Sequence, residues 1–169
     1  IEDACSTLHL VAGDRILLLH NEDGNNAYRN LMAIARLYPD GKPAVTALIY
    51  PGGIPGCVPA FNDTGLVMTT NFIGAKEVRI GIPRYVLGRA VLAAKSLDEA
   101  ITISRNEHLA YSFHMNLGSI PEKRLIAVDV AVGHHAVQET QGLFIQTNHF
   151  VLPATQSIAQ PAFQPGGSS

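Results

Sequence analysis

The sequence predicts an α+β domain built mainly on antiparallel sheet. Short apolar runs bounded by glycine, proline, asparagine or aspartate occur both early and late in the chain, as is typical of strands joined by turns. Two helical patterns follow one another between positions 83 and 105 instead of alternating with strands, which disfavours a doubly wound parallel sheet. With 169 residues, of which 47% are apolar, we expect one domain with its own core.

The first predicted element is a hairpin that turns at Gly13-Asp14. Apolar runs flank this turn on both sides, which favours two paired strands. Cys5 begins the first strand and Asp23 ends the second. We therefore expect the hairpin to bring a thiol and a carboxylate side by side at one end of a sheet.

A second hairpin is predicted around the turn signal at 39–42, with strands within 28–37 and at 44–50. The loop at 51–57 is dense in glycine and proline, which suits either a tight connection or close approach of the backbone to a ligand. The other predicted elements are a turn at 61–65 and strands at 66–72, 112–117, 125–130, 136–139 and 143–147.

Two helices are predicted in the middle of the chain. Pro83 begins the first, where its missing N–H is no loss. Ser96 and Glu99 form the capping box that begins the second, which extends to about Arg105. The first helix is expected to bury one face, made of Val86, Leu87, Ala90, Val91 and Ala94.

Composition argues against several classes of protein. The net charge is −2 without a basic run, so the electrostatic signature of a nucleic-acid binder is missing. No apolar stretch approaches the roughly 18 residues of a membrane-spanning helix. The two cysteines, Cys5 and Cys57, are too few for a disulfide framework and are expected to be free thiols. No histidine spacing matches a zinc motif, so neither a metal nor a cofactor is predicted.

Cys5 is the candidate nucleophile, and it needs a base because a free cysteine has a pKa of about 8.5. An imidazole partner is one solution, as in papain-like proteases. The histidines available for it are His9, His20, His114, His134, His135 and His149. Cleavage of the Ala4–Cys5 bond is another, because it frees an α-amine of pKa about 7.7–8.0 that can accept the thiol proton. A third interpretation is an inert, buried thiol in a non-enzymatic α+β binding domain.

A cysteine site of this kind also needs donors for an oxyanion and an acceptor for an ammonium group. Asp23 suits the second task because its carboxylate is expected beside Cys5. Asn71 and Asn148 suit the first, since each lies at the end of an apolar strand.

Seven segments occur in an order and spacing that together resemble one enzyme family. They are Asp3-Ala4-Cys5-Ser6-Thr7, His20-Asn21-Glu22-Asp23, Tyr50-Pro51-Gly52-Gly53-Ile54-Pro55-Gly56, Phe61-Asn62-Asp63-Thr64-Gly65-Leu66, Gly81-Ile82-Pro83-Arg84, Ser96-Leu97-Asp98-Glu99-Ala100 and Thr147-Asn148-His149. The chain resembles the acyl-coenzyme A:6-aminopenicillanic acid acyltransferase family of cysteine N-terminal-nucleophile hydrolases, related to choloylglycine and penicillin V hydrolases. This resemblance implies a four-layer αββα sandwich of antiparallel sheets.

The resemblance also implies roles for individual residues. Cys5 would carry the acyl group as a thioester, after autocatalytic cleavage at Ala4–Cys5. Asp23 would hold the new α-amine, and Asn148 would help to form the oxyanion hole. Asn71 falls where related hydrolases place a second asparagine.

The implied substrate is a small-molecule linear amide or acyl thioester. His20 stands three residues before the aspartate, where the bile-salt and penicillin V branches carry an arginine, so their substrates are disfavoured. His20, Asn71 and Phe72 are the predicted substrate-binding residues, and Phe72 would suit an apolar acyl group.

The predicted organisation is a leader at 1–4, the hydrolase domain at 5–152 and a flexible loop at 153–169 where the chain breaks. A complementary C-terminal chain of the same precursor is expected to complete the fold, since the family continues beyond Thr147-Asn148-His149. A chain that keeps its leader would be an inactive, uncleaved precursor. A cysteine–histidine enzyme that needs no cleavage stays open as an alternative.

Overall fold

The computed structural model describes residues 4–160, so residues 1–3 of the predicted leader and 161–169 of the predicted loop lie outside the described residues. The strands of this range are β1 (Ala4–Ala12), β2 (Arg15–Asp23), β3 (Ala33–Leu37), β4 (Val45–Ile49), β5 (Ala60–Asn62), β6 (Leu66–Phe72), β7 (Phe113–Ser119), β8 (Arg124–Ala131), β9 (His134–Glu139) and β10 (Leu143–Gln146). The helices are α1 (Arg84–Val91) and α2 (Leu97–Ser104). Neither helix is long and apolar enough to span a membrane.

The strands form two antiparallel sheets, which confirms the predicted α+β class. The smaller sheet has the order β10-β1-β2, and the larger one runs from β3 to β9 in sequence order. Both predicted hairpins are present, β1 with β2 and β3 with β4. In the first hairpin, the two-residue turn at Gly13-Asp14 pairs Cys5 with Glu22 and Ala4 with Asp23.

The two faces of the seven-stranded sheet differ in chemistry. Met68, Met115 and Val128 belong to the main core, which also contains the buried residues of α1 and α2. Four polar side chains alternate with them along β6, β7 and β8, and they hydrogen-bond to one another and to the inner face of β1; they are Asn71, His114, Asn116 and Asp129. Leu125 and Ala127 of β8 are buried apolar residues on the same face. The layers therefore follow the order helices, large sheet, small sheet, and a polar network lies between the two sheets beside apolar contacts, such as the packing of Phe144 against the cluster that contains Ala127.

The outer face of the small sheet is apolar. Leu10 on β1 pairs with Leu17 on one side and Leu143 on the other, and Leu8 pairs in the same way with Leu19 and Ile145. The fractional exposure of these side chains reaches 60% at Leu143. Within residues 4–160, the structure therefore has three layers: helices, large sheet and small sheet.

Three local features differ in part from the sequence predictions. The turn predicted at 61–65 is wrong at its start, because Ala60–Asn62 forms β5 and pairs with β4 and β6. Val86 is 49% exposed, because the buried positions of the short α1 are Leu87, Gly88 and Val91. Ser96 is confirmed as the N-cap of α2, since its Oγ accepts the N–H of Glu99 at 3.2 Å, but the Glu99 carboxylate accepts the N–H of Lys95 at 2.8 Å instead of that of Ser96.

Residues 153–160, the start of the predicted flexible loop, form turns that return to the domain. Thr155 is buried, and its hydroxyl donates to Asp129 Oδ2. Residues 153–160 therefore pack against the seven-stranded sheet.

The contact between Gly56 and Gly88 fixes the glycine-rich loop 51–57 on α1, and it gives a stability prediction. A Cβ at Gly88 would lie 1.8 Å from the carbonyl oxygen of Gly56. Glycine to alanine in a helix ordinarily stabilises by about 1 kcal/mol. Here we expect Gly88→Ala to lower the free energy of unfolding by about 2 kcal/mol or more, because two backbones must separate.

Gly52→Ala is the control in the same loop. Gly52 has φ +77° but no atom within 4 Å of an added Cβ, so only backbone strain of about 1–2 kcal/mol applies. Urea denaturation of the three proteins would compare them. A Gly88→Ala protein as stable as the wild type would contradict the close contact.

Candidate active site

Cys5 lies near the start of β1 with its side chain turned toward the large sheet. Its residue is 6% exposed, and its Sγ lies 3.6 Å from Oε2 of Glu22 on the neighbouring strand. Glu22 is directly opposite Cys5 in the register of the hairpin, so both side chains lie on the same face. Tyr50 donates its hydroxyl to Oε1 of Glu22 at 3.1 Å.

A cavity of about 530 Å³ opens over the thiol. Its wall combines the strand ends, the glycine-rich loop and the start of α1, and includes Cys5, Glu22, Tyr50, Phe72, Arg84 and Tyr85. The guanidinium of Arg84 lies 5.4 Å from the centroids of the Phe72 and Tyr85 rings. The cavity thus offers aromatic surface together with one acidic and one basic group, and it is large enough for a small organic ligand.

The thiol of Cys5 is protonated in this environment. Burial and then the nearby Glu22 carboxylate raise its pKa to about 12, although the backbone N–H of Phe72 and the charge of Arg84 act in the opposite direction. Burial also raises the pKa of the Cys57 thiol in the same cavity. Nucleophilic chemistry at Cys5 would therefore need a group that takes the thiol proton.

Asn148 contacts the backbone of Cys5, as expected of a site residue. Its Oδ1 accepts the N–H of Cys5 at 3.1 Å, and its Nδ2 donates to the carbonyl oxygen of Phe72 at 2.7 Å. The Cys5 nitrogen that Asn148 contacts is the nitrogen of the Ala4–Cys5 peptide bond. Asn148 lies two residues after the end of β10, the neighbour of β1, which explains how residues 143 positions apart meet.

Asp23 is not brought to the thiol. It pairs with Ala4, its side chain is exposed, and its Oδ1 accepts from Asn21 Nδ2 at 2.7 Å. Because side chains alternate along a strand, Asp23 and Glu22 lie on opposite faces of β2. The prediction that Asp23 holds a free α-amine concerns a cleaved chain and stays a prediction.

Glu22 is the site residue that the sequence analysis missed. The signal was available, because a two-residue turn at Gly13-Asp14 fixes the register of the hairpin and pairs position 5 with position 22.

His20 and Asn71 both bond to Thr7 beside the site, and neither of them is among the residues that line the cavity. His20 Nδ1 lies 2.7 Å from Thr7 Oγ1, and its Nε2 lies 3.0 Å from Glu22 Oε2. Thr7 donates to Asn71 Oδ1 at 2.9 Å. Asn71 is fully buried between the sheets and does not line the cavity, whereas Phe72 does.

The other candidate histidines have partners away from the thiol. His9 bonds to Thr140 and Asn116 inside the sandwich, and His114 Nδ1 lies 2.6 Å from Asp129 Oδ1. The rest bond elsewhere or lie outside the cavity: His135 contacts Ser104, His149 contacts Thr147, and His134 lines a different cavity. Among the described residues, His20 is thus the histidine closest to the thiol by hydrogen bonding, through Glu22.

Sγ of Cys5, Nε2 of His20 and a carboxylate oxygen of Glu22 lie within 4.8 Å of one another, and these are atom types that bind transition metals. The thiol donates to Glu22, and His20 bonds to both Glu22 and Thr7. These hydrogen bonds account for the cluster as it stands.

The fold resembles solved structures of N-terminal-nucleophile hydrolases. An N-acylethanolamine-hydrolyzing acid amidase ortholog from Caenorhabditis elegans matches with a TM-score of 0.65 and 12% identity, over 85% of this chain and 70% of that one. A mutant of conjugated bile acid hydrolase from Clostridium perfringens matches with a TM-score of 0.59 and 17% identity, over 82% of this chain and 52% of that one. These likenesses show the fold, a sandwich of layered antiparallel sheets with few helices.

The sequence assigns the family. The model of the acyl-coenzyme A:6-aminopenicillanic acid acyl-transferase family matches residues 11–165, so the chain belongs to that family. A beta-alanyl-dopamine/carcinine hydrolase from Drosophila melanogaster is 33% identical over 113 residues, which cover 60% of this chain and 29% of that protein. The chain thus spans under a third of this relative and about half of the bile acid hydrolase.

Proposed function

We propose that this chain carries the nucleophile of an amide hydrolase or acyltransferase that acts through a thioester on Cys5. The observation that supports this most directly is the position of Cys5. Its thiol faces a cavity of about 530 Å³ while its backbone nitrogen bonds to Asn148. Membership of a family of amide hydrolases and acyltransferases supports the reaction class.

The proposed reaction begins when the Cys5 sulfur attacks the carbonyl carbon of the substrate. The carbonyl oxygen becomes an oxyanion, and donors near Cys5 can stabilise it: the backbone N–H of Phe72 and Nδ2 of Asn148. The amine or thiol leaves with a proton, and the acyl group stays on sulfur. Water then releases an acid, whereas an amine acceptor gives acyl transfer.

The activating step is cleavage of the Ala4–Cys5 bond. It converts the amide nitrogen of Cys5 into an amine with a pKa of about 7.7–8.0, which can accept the thiol proton. Asn148 Oδ1 already accepts from this nitrogen and would continue to hold it. Asp23 is the proposed acceptor for the new ammonium group, because it lies opposite Ala4 at the end of the hairpin, where cleavage removes its partner.

The proposed substrate is a linear amide or acyl thioester with an apolar or aromatic part. Tyr50, Phe72 and Tyr85 supply aromatic surface in the cavity, and Arg84 supplies positive charge. The Drosophila relative is named for hydrolysis of beta-alanyl-dopamine and carcinine. Amides that join a small acid to an aromatic amine are therefore the first compounds to try.

The proposed partner is a complementary C-terminal segment of the same precursor. The apolar outer face of the small sheet supports it, because six aliphatic side chains are paired across three strands there: Leu8, Leu10, Leu17, Leu19, Leu143 and Ile145. Contiguous apolar surface of this kind marks a contact in a complete protein. A helical layer on this face would give the fourth layer of the sandwich.

A turnover assay on the intact protein tests the proposal. Simple amides of aromatic amines and acyl thioesters are supplied, and release of amine, thiol and acid is measured with and without an added amine acceptor. We expect hydrolysis of at least one class, and a new amide in the presence of the acceptor if the enzyme is a transferase. Absence of turnover by a protein whose mass shows cleavage before Cys5 would favour the binding-domain alternative. Turnover by a protein that keeps residues 1–4 would favour the enzyme without cleavage.

A further inference from the structure

We propose that Glu22 is the catalytic base that takes the thiol proton of Cys5 during self-cleavage, with His20 and Thr7 as the residues that position it. This inference rests on the proposed function, because it concerns how the nucleophile is generated. It concerns the uncleaved chain, in which Cys5 has no free α-amine that could take the thiol proton.

The need for a separate base follows from the bonding at Cys5. While Ala4 is attached, the nitrogen of Cys5 is an amide, and its N–H donates to Asn148. An amide nitrogen has no available lone pair, so it cannot act as the base that the mature N-terminus provides. Another group must therefore accept the thiol proton in the uncleaved chain.

Glu22 is in contact with the reacting atom. Its Oε2 lies 3.6 Å from Cys5 Sγ, which is hydrogen-bond distance for sulfur. Both oxygens of the carboxylate are fixed, Oε1 by the hydroxyl of Tyr50 and Oε2 by His20. The side chain of Glu22 is 15% exposed and that of His20 is 4% exposed, so water competes little for these contacts.

The hydrogen bonds around Thr7 determine whether Nδ1 of His20 carries a proton. Asn71 Oδ1 accepts from Asn116 Nδ2 at 2.8 Å and from the hydroxyl of Thr7 at 2.9 Å. The hydroxyl has one proton, so Thr7 Oγ1 must accept from His20 Nδ1, which lies at 2.7 Å. His20 Nδ1 therefore carries a proton.

The remaining contact of His20 then contains a shared proton. With Nδ1 directed to Thr7, Nε2 is the atom that faces Glu22, 3.0 Å from Oε2, and a proton between these two atoms makes the contact a hydrogen bond. When Glu22 takes the proton of Cys5, the thiolate forms beside a neutral carboxylic acid that His20 and Tyr50 hold in place. The repulsion between thiolate and carboxylate disappears in the same step.

Self-cleavage moves one proton from sulfur to nitrogen and exchanges the C–N bond for a C–S bond. Oε2 of Glu22 takes the proton from Sγ, and the sulfur electron pair forms a bond to the carbonyl carbon of Ala4. As the C–N bond breaks, the proton on Glu22 passes to the nitrogen of Cys5, which becomes the free α-amine. Water then hydrolyses the Ala4–Cys5 thioester, which releases a carboxylate on Ala4 and restores the thiol.

The test measures self-cleavage of the intact protein by time-resolved intact mass. We expect Glu22→Gln to slow the loss of the segment before Cys5 by about 10²-fold or more, the usual contribution of general base catalysis. Glu77→Gln, which changes an exposed glutamate outside the cavity, is the matched control and should cleave at the wild-type rate. Cleavage of Glu22→Gln within threefold of the wild-type rate would overturn the proposal.

A second variant separates chemistry from folding. Glu22→Ala leaves space beside the thiol, and added formate is expected to restore cleavage at least tenfold, which a purely structural role would not produce. Absence of rescue would count against Glu22. His20→Gln keeps Glu22 and should still slow self-cleavage, because the carboxylate is no longer held in position. Formate should not rescue this variant, because the Glu22 base is still present. Rescue of His20→Gln to the same extent would contradict its role as a positioning residue.

A pre-cleaved form keeps this test apart from that of the proposed function. A specific protease site placed directly before Cys5 generates the free N-terminus without self-cleavage. If the pre-cleaved wild type turns over amides, the proposed function stands whatever Glu22→Gln does. We expect Glu22→Gln to reduce self-cleavage by a larger factor than turnover of the pre-cleaved form, and equal factors would contradict a role specific to the uncleaved chain.

Discussion

Replacement of Cys5 by alanine is expected to abolish turnover and self-cleavage together. Loss of a catalytic nucleophile lowers kcat on the order of 10⁴-fold or more. Both steps use the same sulfur, so no residual cleavage before position 5 should be seen. Intact mass and an amide-release assay on one preparation measure the two effects.

The second thiol in the cavity is the control for this experiment. Cys57 is also buried, and burial raises its pKa as well. It lies in the glycine-rich loop, without the contacts that Cys5 makes with Glu22 and Asn148. Cys57→Ala should therefore reduce turnover by a much smaller factor than Cys5→Ala. A Cys5→Ala protein that keeps activity would remove the basis of the proposed mechanism.

Replacement of Asn148 by alanine is expected to lower kcat by about 10²–10³-fold, as for loss of an oxyanion-hole donor. Asn148 links the start of β1 to the end of β6, because it accepts from the nitrogen of Cys5 and donates to the carbonyl of Phe72. Its loss frees both the nucleophile and the end of β6. The pre-cleaved protein is the right material, because self-cleavage and turnover can then be scored separately.

Asn148→Asp divides the two functions of this side chain. Aspartate keeps an oxygen for the nitrogen of Cys5 but replaces the Nδ2 donor with a second oxygen opposite the Phe72 carbonyl. If the donor matters, Asn148→Asp should be as inactive as Asn148→Ala. If only the contact with Cys5 matters, the aspartate variant should retain most of the wild-type kcat. An alanine variant within fivefold of wild type would exclude both roles.

Much of the fold was predictable because its signals are local. The turn at Gly13-Asp14 and the apolar runs beside it fixed the hairpin that carries Cys5. Proline at the start of α1 and serine at the start of α2 marked the helix boundaries. The strand β5 was missed because it has three residues and lies inside a strong turn signal.

The site was only partly predictable, because strand alternation decides which neighbour faces the thiol. Asp23 and Glu22 are adjacent acidic residues, and the register of β1 with β2 selects Glu22. Asn148 accepts the N–H of Cys5, and its predicted part in an oxyanion hole stays a prediction.

The polar layer between the sheets could not be predicted from the sequence. Thr7, Asn71 and Asn116 come from strands far apart in the chain and meet only when the two sheets stack. His114 and Asp129 are completely buried as a pair, which sequence patterns do not distinguish from ordinary strand residues. Buried polar groups need partners, so these contacts depend on the packing of the whole sandwich.

The most direct test of the central claim is to identify the residue that carries the acyl group during turnover. The intact protein is mixed with an acyl thioester, quenched in acid within the first turnover, digested and analysed by peptide mass mapping. The thioester mechanism predicts that the mass of the acyl group is found on Cys5, in a peptide that begins at Cys5. Treatment with hydroxylamine should remove this acyl group from the peptide. An acyl group on Cys57 or on another residue, or product release with Cys5 unmodified throughout, would contradict the claim that Cys5 is the nucleophile.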